Sequence, residues 1–189
     1  MSRFINLKQN KGQEGFTLIE TLVAISILLT VLVSAYSAAQ TSIRSSNMAK
    51  DRVVAFFLAQ DAFEHVENIR MDNACDSSAS SWLDGVDQCT GTDRCGIDVF
   101  QETGGEVIAR EVAVFDESIT TRLYKHSVSG VYDDDSGWDP TPFSREVWIE
   151  GIVSGEEAVV HVEIEGPRGA DLRLRKTLFN WPSEAKQCS

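Results

Sequence analysis

Proline is absent before residue 140; the chain's four prolines are Pro140, Pro142, Pro167 and Pro182. Glycine is also absent between Phe16 and Asp72, so nothing in that stretch interrupts a helix. From Thr21 to Ile43 there is no charged residue. Only three histidines occur, and the four cysteines form no CxxC pair, which excludes a zinc site of the usual ligand spacing. Basic residues are outnumbered, 17 against 29 acidic, giving a net charge of -12. That balance excludes nucleic-acid binding through a basic face. No P-loop, GxSxG or HExxH occurs, and no nucleophile is placed beside a base. The chain therefore reads as a non-enzyme that needs no cofactor.

What is present is a 189-residue chain, 42% hydrophobic and 24% charged, enough for one soluble domain and one membrane segment. Residues 16–43 are long enough to span a bilayer, which takes about 20 apolar residues. Three readings compete: a secretory signal peptide, a permanent anchor, and a segment reused after processing. Small residues at Ser34, Ala35, Ser37 and Ala38 can serve a signal cleavage site. Yet the run is long, and its first turn carries a carboxylate, Glu20. An ionisable group in a span is costly and points to function. Basic residues flank both ends (Arg3, Lys8 and Lys11 before, Arg44, Lys50 and Arg52 after), so charge alone does not orient it.

Lys11-Gly12-Gln13-Glu14-Gly15 followed by Phe16-Thr17-Leu18-Ile19-Glu20-Thr21-Leu22-Val23-Ala24 resembles the processing site of type IV prepilins and type II secretion pseudopilins. The resemblance implies removal of leader 1–15 by a prepilin peptidase cutting between Gly15 and Phe16, then N-methylation of Phe16. It further implies other pilin subunits as partners, with the assembly platform protein and its ATPase acting indirectly. The chain would be a single-pass membrane protein with an extracytoplasmic head, moved to a cell-surface filament on assembly.

The spacing also has a physical reading. The amine freed by cleavage is mostly cationic at neutral pH. Glu20 lies four residues on, about 6 Å along a helix, and at the positive end of its dipole. In a stack of staggered helices, one subunit's Glu20 can neutralise its neighbour's amine, selecting a register that apolar packing defines poorly. The plainer alternative is an i,i+4 contact with its own amine. Many major pilins break this helix with a proline; its absence here leans toward a minor pilin or a pseudopilin.

Beyond the span, residues 44–71 continue the helix as an amphipathic segment. Val53, Phe56, Phe57, Phe63, Val66 and Ile69 form its apolar stripe, with Phe56, Phe63 and Val66 laid onto a head. Residues 72–96 read as an irregular connection holding Cys75, Cys89 and Cys95. With Cys188 these allow two disulfides in any of three pairings. Residues 97–189 read as an antiparallel sheet, with strand signals at 97–100, 122–128, 145–153, 158–165 and 172–178. The expected class is α+β and pilin-like: a long N-terminal helix, half of it in the membrane, packed on that sheet.

Residues 132–139 (Tyr-Asp-Asp-Asp-Ser-Gly-Trp-Asp) read first as a solvated acidic loop. Were the loop to hold calcium, Asp133, Asp135 and Asp139 are the ligand candidates, although the EF-hand pattern is missing. His65, His126 and His161 stand alone, and Trp148 and Trp181 are expected to pack in the head. The functional expectation is a structural subunit of a type IV pilus or similar filament. The alternatives are a type II secretion pseudopilin and, from another class, a membrane-anchored extracytoplasmic binding domain.

Overall fold

A computed structural model describes residue 15 and residues 17–76, 78–103, 106–116, 118–153 and 155–180. Its first element, α1, is an uninterrupted helix over Leu18–Cys75. The chain divides into two units, 1–45 and 46–189, and α1 contributes to both.

In the second unit α1 packs through Ala55, Leu58, Ala59, Ala62, Phe63, Val66 and Ile69, all buried. Three of these are alanines with no exposed surface, so the helix backbone lies close to the sheet. The stripe read from sequence is corrected here. Phe63, Val66 and Ile69 are in it, but Val53, Phe56 and Phe57 are exposed, by 54%, 43% and 63%. The period was right and its phase was not. Alanines weigh little on a hydropathy scale, and the two phenylalanines drew the stripe toward the wrong face.

Seven strands follow among the described residues: β1 (Gly96–Thr103), β2 (Glu106–Asp116), β3 (Arg122–Lys125), β4 (Tyr132–Asp133), β5 (Asp139–Val153), β6 (Glu157–Glu165) and β7 (Leu172–Phe179). β1 and β2 form a separate antiparallel pair, and the other five form a sheet of order β4-β3-β5-β6-β7. All pairings within both sheets are antiparallel. The α+β arrangement is the one expected. β2 was not anticipated, because its run Glu106–Asp116 mixes Arg110 and Glu111 into its centre.

β6 shows how pattern becomes packing. Ala158, Val160, Val162 and Ile164 are completely buried, and the residues between them are half-buried or exposed. Leu172, Leu174, Lys176 and Leu178 stand opposite them on β7. Lys176, the one charge on that apolar row, reaches Glu67 of α1 at 2.6 Å.

Residues 78–95 are less irregular than their composition suggests. Cys89 and Cys95 are disulfide-bonded to each other. Their loop then pairs with β5: Cys89 O accepts from Ile149 N at 2.7 Å, and Cys95 and Val147 exchange two bonds at 3.0 Å. The loop thus occupies the edge of β5 that β3 leaves open. Cys75 is disulfide-bonded as well, while Cys188 and Trp181 lie outside the described residues. Gly96, where this loop passes into β1, is required for contact rather than for conformation. A Cβ there would sit 2.7 Å from the carbonyl oxygen of Ile119.

Candidate functional site

Two places hold the residues singled out from sequence: the start of α1 and the polar contacts of the head. At the first, Gly15 is exposed with open space around it, and Phe16 lies outside the described residues. Thr17 caps the helix. Its hydroxyl accepts from the Glu20 amide at 3.3 Å, and its carbonyl accepts from Thr21 N at 3.2 Å. Thr17 was missed in the sequence reading, although Thr-x-x-Glu is the spacing of a capping box. Glu20 lies in the first turn, where the helix dipole favours an anion.

The apolar run is exposed along its length, from Leu18 at 78% to Ile43 at 64%. It is the one helix among the described residues long and apolar enough to cross a membrane. Five of its hydroxyls are already satisfied. Thr21, Ser26, Thr30, Ser34 and Thr41 each donate to a carbonyl three or four residues back. No polar side chain among these five needs water, which suits the segment to lipid or to a bundle of like helices.

In the head, the acidic segment is solvated as expected at Asp135, Ser136, Gly137 and Asp139, but not at Asp133. Asp133 is 1% exposed on β4. The pairing of β1 with β2 shifts register between Asp98 and Phe100. The Asp133 carboxylate accepts from the amides of Val99 and Phe100 at that bulge, at 3.1 and 2.6 Å. The bond between the two sheets is therefore a side chain reaching a bulge, a contact no local pattern reveals. Asp135 instead accepts from Gly137 N in a turn, and Asp139 is exposed at the start of β5. The carboxylates that gather are Asp98, Asp133 and Asp134, with oxygens within 4.8 Å of one another. Asp133, Asp135 and Asp139 are not brought together as one ligand set.

Burial raises the Asp133 carboxyl from 3.8 to about 6, against the lowering effect of its amide donors and of Arg145. Because its folded value is above its unfolded one, its contribution is complete below pH 3.8 and is lost as pH rises through about 6. The size is about 3 kcal/mol at 1.36 kcal/mol per pH unit. Asp133→Asn is expected to remove that part of the pH dependence, so the variant should gain on the parent between pH 4 and pH 7. Denaturant midpoints at both pH values measure it. Parallel pH profiles for the two proteins would show that the buried carboxyl does not titrate in this range.

Arg145 is the other buried charge, 1% exposed on β5. Its Nη1 donates to Asp61 of α1 at 2.7 Å, while Nε and Nη2 have no partner among the described residues. His65 lies 3.4 Å from the same Asp61 carboxylate. Burial pushes the Asp61 carboxyl up, but His65 and Arg145 together outweigh it and hold the group below the usual range. On the opposite face of β5, Trp148 is buried between Arg94, 3.3 Å above its ring, and His161, stacked at 5.0 Å. Glu150 joins the two aromatics, accepting from Trp148 Nε1 at 2.9 Å and lying 3.4 Å from His161 Nε2. His161 is thus a packing residue of the outer face and not an isolated surface histidine.

These head contacts tie α1 and the strands to one another. The start of α1 is different, because its exposed apolar surface and first-turn carboxylate have no partner among the described residues. Residues 10–36 match the family described as the prokaryotic N-terminal methylation motif, the type IV prepilin-like signature. No curated protein and no solved structure matches the chain. The motif supports a type IV pilin-like or pseudopilin-like protein, a structural class with peptidase processing and pilin-family contacts, and it fits a membrane-anchored chain.

Proposed function

We propose that this chain is a structural subunit of a type IV pilus or pilus-like filament. In this reading prepilin peptidase cuts between Gly15 and Phe16, and the new Phe16 amine is methylated. The helix holds the chain in the membrane until assembly, with the head on the extracytoplasmic side, and Glu20 meets the Phe16 amine of a neighbouring subunit in the filament. The observation that carries the proposal is the conjunction at one helix end of the methylation motif over 10–36, the first-turn carboxylate and the exposed apolar run.

A second reading is a pseudopilin of a type II secretion system: the lack of a proline in α1, from Leu18 to Cys75, suits it as it suits a minor pilin. Both readings require the same processing. The test is the intact mass of membrane-extracted protein coexpressed with prepilin peptidase. The expected chain starts at Phe16 and is heavier by one methyl group. An uncut chain, where a control prepilin is cut, would leave a membrane-anchored domain with an incidental Glu20.

A further inference from the structure

A cleft of about 530 Å³ opens on the head beside the β5–β6 pairing. Its volume is in the range of small-ligand sites. Arg122, Ser144 and Glu165 form one row across β3, β5 and β6, since Arg122 pairs with Ser144 and Ser144 with Glu165. Arg145 faces α1, so its neighbour Ser144 lies on the other face of the sheet. Neighbouring strands are about 4.8 Å apart, which separates the backbones under Arg122 and Glu165 by about 10 Å. Asp171 adds a second carboxylate, and Phe143 and Pro142 supply apolar surface.

The charges of this cleft are not closed on one another. Among the described residues the Arg122 guanidinium has neither an ion pair nor a hydrogen bond. Glu165 makes one long contact, 3.5 Å from Ser144 Oγ. Asp171 accepts from Gly166 N at 3.0 Å through one oxygen, leaving the other. One guanidinium stands against two carboxylates, with Ser144 between Arg122 and Glu165 and the exposed Pro142 beside them. The complementary ligand carries one carboxylate, up to two ammonium groups, and an aliphatic stem.

We propose that this cleft binds a basic amino acid with a free carboxylate, lysine being the simplest. Its carboxylate pairs with Arg122, ammonium groups meet Glu165 and Asp171, and the stem lies over Ser144 and Pro142. Pairs this exposed are individually weak, so the affinity expected is about millimolar. The proposal does not depend on filament assembly.

The experiment is an NMR titration of the isotope-labelled full chain in detergent micelles, following the Ser144 and Gly166 amides. L-lysine is expected to shift both to saturation. Cadaverine, which lacks the carboxylate, and norleucine, which lacks the second amine, should each bind about fivefold more weakly, the scale of losing about 1 kcal/mol. Arg122→Gln, an exposed change, should erase the preference for lysine over cadaverine. Nα-acetyl-lysine separates two sources of the same chemistry. Binding equal to lysine's assigns the site to a peptide ending in lysine, and weaker binding to the free amino acid. The proposal is overturned if lysine gives no shift at about 10 mM, if cadaverine binds equally well, or if Arg122→Gln leaves the preference intact.

Discussion

Glu20→Ala is expected to leave the chain cut and methylated but unable to enter filaments. In the single chain Glu20 is exposed and Thr17 caps the helix on its own, so the substitution leaves the helix in place. The local loss is the interaction of one anion with the helix dipole, about 0.3–1 kcal/mol. The loss in assembly is larger. An opposite charge at about 4 Å is worth about 4 kcal/mol at an effective dielectric constant of 20, near a thousandfold in the equilibrium for adding a subunit. The comparison is between sheared filament and membrane fractions, with intact mass verifying equal processing. Glu20→Gln keeps the shape and loses the charge, and should fail in the same way. Normal incorporation of either variant would remove the Glu20 contact from the mechanism and leave apolar packing to set the register.

Arg145→Ala should be the most damaging single change in the head. The guanidinium fills buried space between α1 and β5 and neutralises Asp61 at 2.7 Å. Truncation leaves a cavity, an Asp61 carboxylate with only His65 beside it, and a second carboxylate, Asp133, deprived of its lowering charge. Because Asp61 is partly exposed, the loss is mainly that of the filled volume, about 2–5 kcal/mol for truncating a large buried side chain. Arg145→Met makes the argument testable, because it keeps the volume and removes only the charge. The Asp61 side chain is 42% exposed and can rehydrate, while two of the arginine nitrogens already go without a partner. Methionine should therefore cost less than half as much as alanine in denaturant unfolding of the full chain. Equal losses would show that the charge, and not the volume, holds α1 to the sheet at this point.

The sequence was most legible where one periodicity acted over many residues. The uncharged run, the absence of helix breakers and the alternation of Ala158, Val160, Val162 and Ile164 each predict an element that the structure contains. The motif around Gly15 was legible because its residues are neighbours in the chain. Legibility failed where a residue's role depends on distant sequence. Asp133 looked solvated because its neighbours are acidic, but its partners are amides 33 and 34 residues away. Arg145 looked like the start of an alternating strand, but its partner is 84 residues upstream. Residues 89–95 looked like loop because half of their hydrogen bonding is completed by β5. For Phe56 and Phe57 size misled the reading, since burial on α1 followed the close approach that alanines allow.

The Cys89–Cys95 loop also bears on the order in which the head can form. Its two cysteines are six residues apart, whereas Val147 and Ile149, with which the loop pairs, come more than 50 residues later. Closing a short loop requires little chain entropy, and strand pairing over that distance requires more. A chain made from its N-terminus can therefore finish this clip before β5 exists. When β5 arrives, the clip offers it an edge whose donors and acceptors are already spaced. The central strand then needs only to be received, between a template made beforehand and β6, which follows it directly in the chain.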